Sequence, residues 1–431
     1  MLSQYLRSTW QQLRPQPVIS LVTVAGTALA IFLIMLVVMI EQVRTAPFAP
    51  ESNRDRFLHT YCLLFNNPST NNNSISPFSN EVFKELYGDL KTPEAVSSYT
   101  FITSTQPVSV PNEPCFSVDV RGTDAAYWCV FDHEFVDGKP FDEAQFKAEQ
   151  KVAVITESMA RQLFGTTKCA GREFLMAYAP FKVCGVVKDV STLAYFGYAQ
   201  MWMPHSLNHD YDEFTGSLSV TILAKDRDDF GIIRDELKNR LATYNNKLEK
   251  SGTDILIKDF NQPYDQRKAM MIKLSANIEP DMEKADRTRF IIFLILLIVP
   301  AINLGSMTQS RYRQRVSEIG VRRAFGCTRM QLVSQLLGES LILTLAAGII
   351  GLVLCMTFSF IASDVLFINS LPSISLAMPE VNILMLVHPS TFLWALFFCF
   401  ILNLLSAGIP AWRASRMNIV NALEGSTLNK R

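Results

Sequence analysis

Few residues of this 431-residue chain have the type and spacing that chemistry requires. The five histidines, His59, His133, His205, His209 and His388, are scattered. His205 and His209 stand four apart, a spacing that sets two metal ligands on one helical face. Pro204 and the run Asn208–Asp210 point to a turn there instead. H-E-x-x-H and G-x-x-x-x-G-K-[ST] are both absent, so neither zinc hydrolysis nor P-loop nucleotide binding is expected. Glu339 lies about one turn inside an apolar run, and Asn303 and Asn403 lie within two others. Such intramembrane polar groups are candidate functional positions. For Glu339 the competing reading is a carboxylate near the interface that reaches water or a neighbouring arginine. No nucleophile and base can be paired. One dense feature remains: six arginines between Arg311 and Arg329, against the single acid Glu318. Its chemistry is recognition of another surface.

The elements that hold these residues are membrane spans. Val18–Ile40 is 23 residues without a charge, and a bilayer core needs about 20. The run is too long for a cleaved leader, so a retained anchor is expected. Gly26 and Ala30 offer a small-xxx-small packing face. Phe290–Thr308, with Pro300 inside it, is a second span, Leu336–Ala362 a third and Ser390–Ile409 a fourth. The formal charge is near zero but segregated. Residues 41–289 hold 35 acids and 28 Lys/Arg, a net of −7, whereas the short segments are basic. The positive-inside rule then orients every span consistently. Residues 1–17 are cytoplasmic, 41–289 outside, 309–335 inside, 363–388 outside and 410–431 inside.

Residues 41–289 are long enough for one or two folded domains. Asn66–Ser79 reads as a loop rich in Asn, Ser and Pro, and Glu81–Leu90 as an amphipathic helix. Lys151–Thr156 reads as a strand, followed by a helix over Glu157–Phe164 that Gly165 stops. Phe181–Val187, Leu218–Ala224 and Ile255–Phe260 are further strands, and Asp228–Leu241 repeats its apolar residues at helical spacing. This alternation predicts an α/β or α+β domain. Gln262–Arg289 reads as a stalk leading into the second span, beside a matching extension at Glu41–Arg44. Five of the eight cysteines fall in this segment, with no CxxC spacing. Cys169–Cys184 is one conceivable disulfide in an oxidising compartment; buried free thiols are the other reading.

The basic stretch carries local structure of its own. Val316–Phe325 is expected to form a short helix, with Val316 and Ile319 on one side and Arg322 and Arg323 toward water. Gly326 ends it. Thr328 caps the next helix, with Gln331 at the capping-box position. That helix, from about Arg329 to Ala362, spans roughly 50 Å at about 1.5 Å per residue, beyond a bilayer core of about 30 Å. A short surface helix clamped to a long rigid one would be a lever; the other reading is a basic loop that only sets topology.

These residues resemble a known family. Arg315-x-x-Glu318-Ile319-Gly320-Val321-Arg322-Arg323-Ala324-Phe325-Gly326, then Gln335, Glu339-Ser340 and Gly348-Ile-Ile-Gly351, is similar to the signature of the MacB/FtsX-type ABC transporter permeases. Pro410-Ala411-Trp412-Arg413-Ala414-Ser415-Arg416, followed by Val420 and Ala422-Leu423, resembles their C-terminal motif. Phe135–Phe141, Val152–Gly165 and Val183–Asp189 resemble the periplasmic core domain of the MacB group. The resemblance implies an α-helical membrane protein with four spans and a large α/β (α+β) extracytoplasmic domain between the first two. It also implies a bacterial inner-membrane permease that works as a homo- or heterodimer with two ABC ATPase subunits. Glu318–Gly326 would then be the coupling helix that touches the ATPase, which would bind ATP and Mg; no cofactor is expected in this chain. Only 17 residues precede the first span, so a separate ATPase chain is expected.

The resemblance further implies mechanotransmission toward periplasmic cargo (peptide, antibiotic or lipoprotein) or a periplasmic adaptor, with the lipid bilayer as a second partner and no nucleic acid. Two other functions compete. One is transmembrane signal relay to a cell-wall hydrolase. The other is a membrane-anchored receptor or scaffold with no ATPase. The size of the external segment favours cargo handling.

Overall fold

The computed structural model describes residues 17–69, 72–208, 212–272, 278–366 and 389–416. Residues 1–16, most of the expected 363–388 loop, the tail beyond 416, and His209 and His388 lie outside the described residues. The described residues divide into two compact units, residues 43–281 and the remainder.

The second of these holds four helices long and apolar enough to cross a membrane. They are the first span Pro17–Thr45, the second Met282–Gln314, the third Arg329–Ile361 and the fourth Pro389–Ser415. Most outrun the apolar runs that announced them, because backbone hydrogen bonding continues past the hydrocarbon into polar flanks. The second span passes through Pro300 and starts eight residues before Phe290. That extension carries Arg289, whose Nη2 lies 2.9 Å from Glu41 Oε1 on the first span. Next to it Gln42 donates to Ser390 Oγ at 2.7 Å and accepts from Thr391 Oγ1 at 2.6 Å. Glycine sets the closest helix approach. A Cβ on Gly351 would meet Ala28 O at 2.6 Å and Phe32 N at 3.2 Å, and one on Gly348 would meet Cys399 Sγ. On the first span it is therefore Ala28 that makes the tight contact. Gly26, expected to do so, has only Leu304 Cδ2 at 4.0 Å.

The other unit is an α/β domain. In chain order its strands are β1 Phe57–Thr60, β2 Leu63–Asn67, β3 Asn72–Ser76, β4 Ala95–Thr100, β5 Ser104–Ser109, β6 Phe116–Thr123 and β7 Phe135–Gly138. Then follow β8 Val152–Thr156, β9 Glu173–Met176, β10 Ala179–Val187, β11 Met201–Pro204, β12 Leu218–Leu223, β13 Leu256–Lys258 and β14 Tyr264–Asp265. The longest helices of the domain among the described residues are α1 Asn80–Tyr87, α2 Glu157–Phe164 and α3 Phe230–Lys250. The sheet runs β11-β8-β10-β9-β5-β6, and β6 pairs again with β11, so these six strands close into a barrel. Pairings β8–β10 and β6–β11 are parallel. Alternate residues fill the interior, as the period of two demands: Val118 and Val120, Ala153 and Ile155, Phe181 and Val183, Met201 and Met203. The sheet continues from β6 through β4, β12 and β1 to β14. Helices α1 and α3 cover one face of that extension over Leu58, Val220 and Ile222. Its other face, with Phe57, Tyr99, Phe101 and Leu223, joins a second aromatic core.

Local signals explain the boundaries. Thr156 accepts from Met159 N at the start of α2, and Gly165 ends it at φ 69°. Cys169 lies inside the barrel, whereas Cys184 packs against the other core, and both are free. The two thiols thus occupy opposite sides of the sheet, which separates the conceivable Cys169–Cys184 pair and leaves the free-thiol reading.

Candidate functional site

The second and third spans are joined by a short helix, Val316–Ala324. Two backbone breaks define it. Arg315 interrupts the helix before it, and Gly326 turns at φ 93°, a left-handed value that glycine adopts without strain. Thr328 then opens the third span with a full capping box: its hydroxyl accepts from Gln331 N, and the Gln331 side chain accepts from Thr328 N.

A chain of charges pins this connecting helix. Arg315 donates through Nε to Glu318 Oε2 at 2.8 Å and through Nη2 to Glu318 Oε1 at 3.1 Å. Its Nη1 reaches Glu339 Oε2 on the third span at 3.0 Å. Arg322 Nη2 also donates to Glu318, at 2.7 Å. The Arg315 hydrogen bonds hold the Glu318 carboxyl below the ordinary carboxylate range. Glu339 is 3% exposed and also accepts from Gln335 Nε2 at 3.1 Å. It is thus paired with an arginine of the basic stretch, as the second of its two readings required.

Apolar packing completes the joint. Ile319 lies among Tyr312 of the second span, Leu332 and Leu336 of the third, and Ala411 and Ala414 of the fourth. Tyr312 donates to Leu336 O at 3.3 Å, and Arg323 Nη1 donates to Ser415 O at 2.9 Å. The connecting helix is therefore fastened to three spans at once. The exposed surface at this turn carries Val321 of the helix (44% exposed), Phe325 at its cap (88%) and Met330 in the first turn of the third span (79%), with Ala324, Gly326, Thr328 and Arg329 exposed beside them.

The expected site residues divide by orientation. Ile319, Gly320 and Arg323 turn toward the spans, Arg322 pairs with Glu318 along the helix, and Val321, Ala324, Phe325 and Gly326 turn away. Arg323, expected to face water, is instead half-buried where it donates to a helix-end carbonyl, whereas the Arg322 side chain stays 40% exposed and pairs with Glu318 of its own helix. Asn403 is buried deeper in the bundle, where Ser340 Oγ donates to its Oδ1 at 2.6 Å and its Nδ2 donates to Leu337 O at 3.3 Å. The Asn303 side chain lies outside what is described. Sequence reasoning omitted Arg315 and Met330 from the site. Met330 was detectable: it sits just past the cap, out of phase with the buried positions Leu332, Leu336 and Glu339.

A second polar cluster lies in the large domain, at the loop 193–198. Arg54 Nη2 donates to Leu193 O, Arg121 Nη2 to Tyr195 O and Arg121 Nε to Tyr198 O. Glu51 Oε1 accepts from Phe196 N and Gly197 N, and Tyr127 OH lies 3.1 Å from both of their carbonyl oxygens. A buried loop needs every backbone group satisfied, and four side chains meet that need here. Arg54 also donates to Val43 O and Ala46 O, where the first helix ends, and pairs with Glu51 at 2.6 Å. His205 is buried near this region, with Nε2 2.9 Å from Ser98 Oγ.

Residues 20–240 match the model of the MacB-like periplasmic core domain, and residues 290–419 that of the FtsX-like permease C-terminal region. A Bacillus subtilis (strain 168) protein described as the uncharacterized ABC transporter permease YknZ is 24% identical over 263 residues, covering 61% of this chain and 62% of that one. The macrolide export ATP-binding/permease protein MacB of Chromobacterium violaceum is 24% identical over 307 residues, covering 71% of this chain and 43% of its own length. The matched region thus spans less than two thirds of either relative. Among solved structures, the extracellular domain of the noncanonic ABC-type transporter YknZ from Gram-positive bacteria aligns at a TM-score of 0.32 and 17% identity, over 46% of this chain and 99% of that one. The periplasmic region of MacB from Actinobacillus actinomycetemcomitans aligns at 0.34 and 18%, over 47% and 88%.

Proposed function

Since the chain belongs to the MacB/FtsX-type ABC transporter permeases, we propose that it couples ATP hydrolysis by a separate ATPase chain to movement of its extracytoplasmic domain. The work done there is export or extraction of periplasmic cargo: a peptide, an antibiotic or a lipoprotein. Two permease subunits, identical or different, would sit over two ATPase subunits, and the ATPase would hold ATP and Mg. The membrane is the bacterial inner membrane, with both termini and the connecting helix on the cytoplasmic side.

One observation carries this reading. Phe325, at the C-terminal cap of the connecting helix, and Met330, in the first turn of the third span, stand exposed beside a helix that Arg315, Ile319 and Arg323 fasten to three spans. An exposed aromatic and a methionine suit an interface, where aromatic residues and Met are enriched. Rigid fastening suits force transmission, because a push on Phe325 must reach the third and fourth spans. Arg323 serves the fastening, and exposed Val321, Phe325 and Met330 serve the contact.

The test is to isolate the complex from native membranes and reconstitute it with whatever ATPase accompanies it. Phe325→Ala/Met330→Ala should leave the chain folded while abolishing its stimulation of ATP hydrolysis. Full stimulation by that variant, or recovery of the chain without any ATPase, would overturn the assignment. Recovery with a cell-wall hydrolase rather than cargo would transfer it to signal relay.

A further inference from the structure

The exposed stripe of the fourth span does not stop where its apolar residues end. Leu405 (42% exposed), Ile409 (59%) and Trp412 (50%) follow one another at spacings of four and three, and Arg416 comes four residues later. Those spacings keep all four on one helical face. In a membrane span an exposed apolar stripe faces lipid, so Trp412 and Arg416 face lipid too. Arg413 flanks them and is also exposed. The second span behaves alike: Ile291, Ile295, Ile298 and Ile302 are exposed, and the same face continues to exposed Arg313. Tyr312 packs on Ala411 and Ala414, which sets Arg313 at the same level of the bundle.

Charge completes the picture. Arg313, Arg413 and Arg416 form no ion pair among the described residues. Residues 290–314 and 400–416 contain no acid, and Glu318 is engaged by Arg315 and Arg322. The Arg416 guanidinium lies 4.0 Å from the centre of the Trp412 ring. That stacking leaves the guanidinium edge, with its forked N–H donors, free to meet an anion. Trp marks the headgroup level of a bilayer, and guanidinium binds phosphate oxygens in pairs.

We propose that Trp412, Arg413 and Arg416, with Arg313 at the same level of the bundle, form a headgroup site for an anionic phospholipid. The ring packs among upper acyl carbons and the glycerol, and the arginines take the phosphate and the net negative charge. This assignment stands apart from the ATPase coupling reading. It needs only that the four helices span a membrane.

The test is native mass spectrometry of the full chain in detergent, titrated with phosphatidylglycerol or phosphatidylcholine. The wild type should retain phosphatidylglycerol in preference by on the order of tenfold. Arg413→Ala/Arg416→Ala should bring the two lipids to near parity, and Arg413→Lys/Arg416→Lys should keep most of the preference. Added inorganic phosphate should not displace the lipid, which separates a headgroup site from a free-phosphate site. Should the double alanine variant fail to fold, Trp412→Leu reads the same site, with reduced retention expected. Equal retention of both lipids by the wild type would overturn the proposal. So would an unchanged preference in a folded Arg413→Ala/Arg416→Ala chain, even if that chain lost a protein partner. Displacement of the lipid by phosphate would overturn it as well.

Discussion

Arg315 Nη1 and Glu339 Oε2 meet at 3.0 Å, joining the start of the connecting helix to the third span across 24 residues of chain. Glu339 is buried, and Arg315 is its ion-pair partner. Removing one member of a buried pair costs more than removing both, because the survivor keeps its desolvation penalty. Arg315→Ala should therefore destabilise the purified chain by about 3 kcal/mol. Arg315→Met/Glu339→Gln should recover most of that, since Gln335 still has a side-chain partner. Thermal unfolding in detergent checks it; equal losses in the two variants would show that the pair does not hold the joint.

Arg54 makes a different demand. Its side chain is fully buried, bonding Glu51, two carbonyls at the end of the first helix and Leu193 O in the 193–198 loop. Lysine supplies one point charge in place of a planar fork. Arg54→Lys should cost about 2–3 kcal/mol through carbonyls left unbonded. Hydrogen exchange should show the loss first at Phe196 and Gly197, whose N–H groups rely on Glu51.

Much of the membrane half was legible in the sequence because its rules are one-dimensional. A charge-free run of 23 residues, a capping box at Thr328 and Gln331, and a glycine stop at Gly326 all act within a few residues. The strand, helix and stop at Val152–Gly165 were legible for the same reason. The closed barrel was not. Closure depends on β6 pairing with both β5 and β11, and nothing near Val120 announces Met201. The partners of Arg54 and Arg121 were equally hidden, because most are backbone carbonyls, which every residue carries. The inward turn of Arg323 was missed because a basic helix face ordinarily seeks water.

Gly351 marks where the first and third spans come closest. A methyl group there would collide with Ala28 O and Phe32 N, both backbone atoms that cannot rotate away. Gly351→Ala should force the helices apart and cost about 1–3 kcal/mol. Gly231, with nothing within 4 Å of an added Cβ, supplies the control: Gly231→Ala should be neutral or slightly stabilising. Similar melting temperatures for the two variants would contradict the close approach.

Stability of the large domain should fall steeply in mild acid. Burial pulls His59 and His133 down to about 3 and His205 to about 4. All three are neutral when folded, but they charge near pH 6.5 when unfolded. Between those values the unfolded chain binds more protons, so stability is present above pH 6.5 and is lost as pH falls toward 4. Each histidine contributes about 1.4 kcal/mol per pH unit within that window. Asp124 opposes them, since burial raises it to about 6 and its folded form binds the extra proton between about pH 4 and 6. The net slope is then that of two histidines, about 3 kcal/mol per unit. His133 isolates the effect. Neither of its ring nitrogens has a hydrogen-bond partner, and the ring lies against Tyr127, Trp128 and Trp202. His133→Phe should leave stability at pH 7 nearly unchanged and remove about half of the net acid slope. Unfolding midpoints at pH 7, 5.5 and 4.5 decide it, and an unaltered slope in that variant would show that His133 is not held neutral by burial.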